Sequence, residues 1–148
     1  MDAEVYTDPQ VAQFITESFI PVRAHVKENS AAFERFGAQW TPTILILDRD
    51  GAERHRIEGF LPAEDFLAQV RLGLAHAART RGDFADAEKR YRELSGGEGD
   101  VAAESLYWAG VSRYKSTNDP SALGETAQAF GTRFTDSAWA KKASVWKS

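Results

Sequence analysis

The sequence predicts an α/β fold in the order α-β-α-β-β-α, followed by an all-α extension. Three observations predict it. Apolar and polar residues alternate from Ile20 to Val26, and an unbroken apolar run covers Thr43 to Leu47, the signatures of a one-faced strand and of a strand buried on both faces. Apolar stripes at helical spacing flank these strands, with Val11, Phe14 and Ile15 before them and Phe66, Val70, Leu74 and Ala77 after. From about Leu72 the strand-like patterns cease and only helical ones continue.

Each element has a local reason. Asp8-Pro9 reads as a helix start, the carboxylate capping free N–H groups and Pro9 taking the first turn, with the helix running to about Ser18. Residues 1 to 6 are also compatible with helix, Met1 and Val5 sharing a face, so Asp8-Pro9 is alternatively a kink. Pro21 suits the opening of the Ile20–Val26 strand. Ser30 caps a short helix through Phe33 and Phe36, and Gly37 supplies the left-handed residue that ends it. Asp50-Gly51 predicts a tight primed turn, in which both central residues have positive φ, returning Glu53 to Ile57 antiparallel as a charged edge strand. Beyond Gly59, Pro62 opens a helix reaching about Arg79.

Composition sets limits. With 43% hydrophobic and 27% charged residues the chain can bury a core, and at 148 residues it holds one compact domain plus an appendage. Eighteen Lys and Arg against 22 Asp and Glu give a net charge of -4 without a basic run, which argues against nucleic acid and anionic membranes as partners. No cysteine is present, so a disulfide framework and thiolate metal sites are excluded. The polar start lacks a signal-peptide pattern and no apolar run is long enough to span a bilayer, so the expected location is the cytoplasm.

The helical second half carries a repeat. Leu74, Phe84, Ala87, Tyr91 and Leu94 are echoed by Tyr107, Gly110, Val111, Tyr114, Leu123, Ala127 and Phe130, at roughly the 34-residue spacing of tetratricopeptide helix pairs. Phe134 to Ala143 resembles the opening of a further repeat. About two repeats are fewer than such solenoids need to stand alone, so this half is expected to dock on the α/β half. The expected division is residues 1–78 for the α/β domain and 72–148 for the repeat region, sharing the linking helix.

The order of elements around Trp40-Thr41-Pro42-Thr43, together with Asp50-Gly51 and Gly59, resembles the C-terminal two-thirds of a thioredoxin-like domain over residues 1 to about 78. The remainder resembles the tetratricopeptide extension of some bacterial thioredoxin-family proteins. The resemblance implies a cis Thr41–Pro42 bond and a Thr41 main chain that pairs with an extended substrate peptide, Trp40 flanking the groove. A tight turn that caps a buried strand without a ligand is the plainer alternative for the same residues. The family's Cys-x-x-Cys pair and the strand before it would fall upstream of Met1. The sequence is therefore read as part of a longer thiol-disulfide oxidoreductase, with a degenerate cysteine-free member as the alternative.

Other constellations are weaker. His25, His55 and His76 fall on different elements without ligand spacing, and Asp48-x-Asp50-Gly51 lacks the rest of a calcium loop, so no metal site is expected. Gly96-Gly97-x-Gly99 follows a helix and reads as a connector, not a phosphate cradle. Asp2 and Glu4 are favourable helix-dipole partners before they are proton acceptors. The aromatics of the second half read mainly as packing, except Trp108: Tyr107 takes the core position, which leaves the Trp108 indole for docking.

Two functions follow as expectations. The first is a thioredoxin-family oxidoreductase acting on proteins, of which this cysteine-free chain should be redox-inactive. The second is a non-redox peptide-binding module, a chaperone or scaffold, using Trp40, Thr41, Pro42 and Thr43 and the helical repeats. No cofactor is implied, and the expected partners are protein or peptide clients. A homodimer formed by strand exchange would satisfy an otherwise unpaired strand edge.

Overall fold

The computed structural model describes residues 5–147. Its elements are α1 (Pro9–Ser18), α2 (Ser30–Phe36), β1 (Thr43–Leu47), β2 (Glu53–Glu58), α3 (Ala63–Thr80), α4 (Phe84–Ser95), α5 (Gly99–Thr117), α6 (Ser121–Ala129) and α7 (Ala138–Ala143), followed by a 3-10 turn at Ser144–Trp146. The strands form a two-stranded antiparallel sheet, and the rest is mostly helical. The chain divides into two compact units. One comprises residues up to Leu45 with Arg56–Leu67, the other Ile46–His55 with everything from Ala68 onward.

In the first unit, the Asp8 carboxylate accepts from the N–H groups of Gln10 (2.9 Å) and Val11 (3.2 Å), and Pro9 opens α1 without an amide to satisfy. Val5, Val11 and Phe66 are buried, with Tyr6 edge-on to Phe66 at 5.8 Å between ring centroids. Val5 to Thr7 form a turn, not helix, and the suggested helical residues before them lie outside the described range. Asn29, rather than Ser30, precedes α2, and it makes no side-chain cap bond. Gly37 (φ +61) ends that helix, placing its own N–H on the Glu34 carbonyl and that of Ala38 on Phe33.

Three strand expectations are corrected. No strand forms over Ile20–Val26: among the described residues the sheet holds only β1 and β2, so the alternating segment has no ladder to join, and Ile20 and Val22 stand 94% and 87% exposed. The His25 carbonyl instead accepts from the N–H groups of Glu28 and Asn29, folding the segment's end into a turn. β1 forms where the apolar run lies, yet Ile46 is its one buried residue, because a two-stranded sheet cannot cover both faces along its length. The loop between the strands is not the primed turn, since Gly51 has positive φ (+81) and Asp50 does not. Asp48 builds it differently.

The Asp48 carboxylate accepts from the N–H groups of Asp50 and Ala52, both at 3.0 Å, and from Arg54 through Nε (2.9 Å) and Nη2 (2.6 Å). Such local side-chain bonds compete with other turn geometries. The bond from Ala52 N–H, followed by Arg54, lowers the Asp48 pKa from the ordinary 3.8. A depressed carboxylate contributes stability above its unfolded pKa and loses it as the pH falls through the lower folded value. Asp48→Asn is therefore expected to lower the urea midpoint at neutral pH, with the difference from the parent shrinking below about pH 4. A gap that persists unchanged in acid would assign the effect to geometry instead of charge.

In the second unit, Gly73 on α3 lets the hairpin approach closely: a Cβ there would lie 2.0 Å from Ile46 Cδ1 and 3.2 Å from His55 Cβ. Leu72, Ala75 and Ala78 of α3 pack with Ala87 and Tyr91 of α4 and Ala109 of α5 in one core. Ala103 and Leu106 of α5, Phe130 and Ala143 form another. α5 serves both because much of its buried surface is small, with Ala102, Ala103, Ser105, Ala109, Gly110 and Ser112 letting α4, α6 and α7 pack around it. This helix starts at Gly99, the last glycine of the expected connector. The connector itself is tied down by Arg133, whose Nη2 donates to the carbonyls of Ser95 (2.7 Å) and Gly97 (3.1 Å). Among the described residues no helix is long and apolar enough to cross a membrane.

Candidate functional site

The loop from Gly37 to Thr43 joins the end of α2 to the start of β1, and each of its ends is fixed. Arg56 of β2 donates through Nη2 to the Phe36 carbonyl at the C-terminus of α2, the helix end where unsatisfied carbonyls and negative dipole favour a cation. At the other end Thr43 Oγ1 donates to the Trp40 carbonyl at 2.6 Å, and Gly59 N–H donates to the Pro42 carbonyl at 2.8 Å. The Thr41–Pro42 peptide bond is cis. Carbonyls on either side of Thr41 are thus engaged. Thr41 itself is exposed, and among the described residues neither its N–H nor its C=O has a partner. Trp40 beside it is 69% exposed.

An exposed amide donor and acceptor on a loop anchored at both ends, next to an indole face in water, offer what an extended chain needs: main-chain hydrogen bonds and an apolar contact. The four expected residues are therefore adjacent in space as in sequence, with unequal roles. Trp40 and Thr41 face solvent, while Pro42 and Thr43 are half-buried and hold the loop. Asp2 and Glu4 lie outside the described residues. Among those described, no group of three or more His, Asp or Glu is arranged to hold a metal ion.

Trp108 is not a free indole. It is half-buried against the α3–α4–α5 core, Arg79 lies over its ring at 3.8 Å, and it meets His76, Tyr107 and Trp139 edge-on. Tyr107, expected inside, is half-buried too, lying with Trp139 and Trp146 at the margin of the Ala103–Leu106–Phe130–Ala143 core.

Sequence reasoning missed a buried polar chain in the same unit. Arg79 Nε–H donates to Tyr91 Oη (3.1 Å), leaving the phenol to donate to His76 Nδ1 (2.5 Å) and His76 Nε2–H to donate to Glu104 Oε1 (3.1 Å). That direction satisfies every member and assigns the imidazole proton to Nε2. Burial pushes the Tyr91 pKa up to about 12, against the pull of Arg79, so the phenol keeps its donor hydrogen. Beside it, His55 Nε2 bonds Gln69 Oε1 at 2.7 Å, and burial lowers the His55 pKa more than that bond raises it. The chain joins α3, α4 and α5 from positions far apart in sequence. Only the core assignment of Tyr91 hinted at it.

Comparison with known proteins bears on the first half. No curated protein and no solved structure matches the chain. Residues 1–73 match a family model described as the thioredoxin-like domain. No family match covers the helical second half. The N-terminal half, with the Trp40–Thr43 loop inside it, is thus similar to the thioredoxin-like domain, a family of thiol oxidoreductases.

Proposed function

We propose that this chain binds extended protein segments at the Trp40–Thr43 loop and performs no thiol-disulfide exchange of its own. The observation that carries the reading is the exposed, unengaged main chain of Thr41 beside the exposed Trp40. Strand-like addition of a peptide at such an edge draws affinity from main-chain bonds and needs no sulfur. The similarity to thioredoxin-like domains supports thiol-disulfide chemistry on protein clients as the parent activity. That exchange proceeds through attack by a thiolate, and these 148 residues contain no cysteine to provide one. The client-holding half of the parent chemistry is what the loop retains.

The test uses a labelled, S-alkylated insulin B chain as the extended probe. Binding is expected with equal affinity in the presence and absence of reductant, weakened by about tenfold or more in Trp40→Ala, in keeping with loss of a central aromatic anchor. Thr41→Pro, which deletes the amide donor, is expected to weaken it also. Reduction of native insulin should match buffer. Turnover above buffer, or wild-type affinity in both variants, would overturn the proposal.

A further inference from the structure

We infer a second protein-binding surface, on the C-terminal face of the helical unit, suited to an acidic segment that carries apolar or aromatic anchors. This inference is independent of the Thr41 loop. Tyr107 of α5, Trp139 of α7 and Trp146 of the terminal 3-10 turn are gathered into one cluster. Tyr107 stacks on Trp146 with centroids 4.8 Å apart and planes inclined by 23°, and it meets Trp139 at 5.4 Å. The rings rest on the core of Ala103, Leu106, Phe130 and Ala143, which fixes them, yet all three stay only half-buried. Val145 next to Trp146 is 79% exposed. Aromatic rings fixed by a core and left partly in water are the anchors that binding surfaces use, since little side-chain entropy is lost when they are covered.

Charge selects the occupant. From Ser137 to Lys147 the chain has three lysines, Lys141, Lys142 and Lys147, all exposed, and no carboxylate. Lys142 Nζ lies 4.0 Å from the Trp139 ring centroid, so one ammonium is already placed at the edge of the aromatic cluster. This local excess of positive charge stands out in a chain of net charge -4. A short acidic segment can pair with it, whereas an extended polyanion, a nucleic acid strand or an anionic bilayer, would also meet the surrounding negative field. Half-buried rings cannot insert into a membrane as projecting ones do. The fit is therefore to carboxylates spaced around a bulky apolar residue.

The experiment measures anisotropy of a labelled peptide repeating Asp-Phe-Glu-Leu with the full chain, against the same peptide with Lys in place of both acids. The acidic peptide is expected to bind, to weaken as salt is raised, and to lose about tenfold or more in affinity in K141E/K142E/K147E and in Trp146→Ala. The lysines are exposed, so circular dichroism of the triple variant should match the parent and keep a loss of binding attributable to charge. The loss caused by K141E/K142E/K147E should be the same in the Trp40→Ala background as in the parent, which separates this surface from the Thr41 loop. The inference fails if the lysine peptide binds as well as the acidic one, or if the triple variant binds undiminished. It fails equally if phosphatidylserine vesicles or oligo-thymidine bind through the same lysines more tightly than the acidic peptide.

Discussion

Tyr91→Ala is expected to cost about 3–5 kcal/mol, the range for truncating a fully buried aromatic. Its side chain is entirely inside the core shared by α3, α4 and α5, and its hydroxyl is the middle link from Arg79 to His76. Two losses combine. The cavity removes apolar contact, and the missing oxygen leaves His76 Nδ1 without a donor and Arg79 Nε without an acceptor. Tyr91→Phe separates them, since it keeps the ring and should cost about 1–3 kcal/mol for the stranded polar groups. Urea denaturation of the three proteins provides the comparison. A Phe variant as stable as the parent would show that water replaces the phenol at no cost and that the relay contributes nothing.

Gly110→Ala should be destabilising although alanine is the better helix former. Propensity favours alanine by about 1 kcal/mol within a helix. Packing opposes it more strongly, because a Cβ at this position would lie 2.0 Å from Thr126 Oγ1, 2.8 Å from Thr126 Cβ and 2.9 Å from Thr126 Cγ2. Thr126 is buried, β-branched and tied to the Ala122 carbonyl by a 2.7 Å hydrogen bond, so it cannot swing aside. Overpacking of this kind costs about 1–3 kcal/mol or more, and a net loss of about 2 kcal/mol is expected, read as a lower melting temperature by calorimetry. Gly124→Ala supplies the internal control: nothing lies within 4 Å of its virtual Cβ, so the same substitution one helix away should stabilise. If the two variants shift in the same direction, α5 and α6 do not meet as closely as described. Thr126→Ala in the Gly110→Ala background should recover part of the loss, because it removes two of the three close atoms.

Features encoded within a few residues were legible in the sequence, and features that depend on a neighbour were not. Asp8-Pro9 fixed the start of α1 and Gly37 the end of α2, because capping is decided within a turn of chain. The helical stripe through Phe66 and Val70 identified α3, and Tyr91 was placed inside correctly. The Ile20–Val26 strand failed for the opposite reason. Its alternation is real, but a strand exists only with a partner, and periodicity carries no information on whether one is present. At the candidate site, Trp40 to Thr43 could be picked out because the loop is contiguous. The Arg56 bond that pins its α2 end spans twenty residues of sequence. The Arg79–Tyr91–His76–Glu104 chain was invisible because its residues come from three helices, Arg79 and His76 from α3, Tyr91 from α4 and Glu104 from α5, brought together only by packing.

The nearly full exposure of Ile20 and Val22 governs how this chain behaves at high concentration. Among the described residues their main chains make no hydrogen bond, and both side chains are β-branched. Side-by-side accretion through this stretch is checked by its own sequence, since Pro21 between the two residues has no N–H to give and Arg23 follows with a charge. What is left is apolar surface in water, and Val22→Lys would make the protein easier to keep dispersed without touching either core.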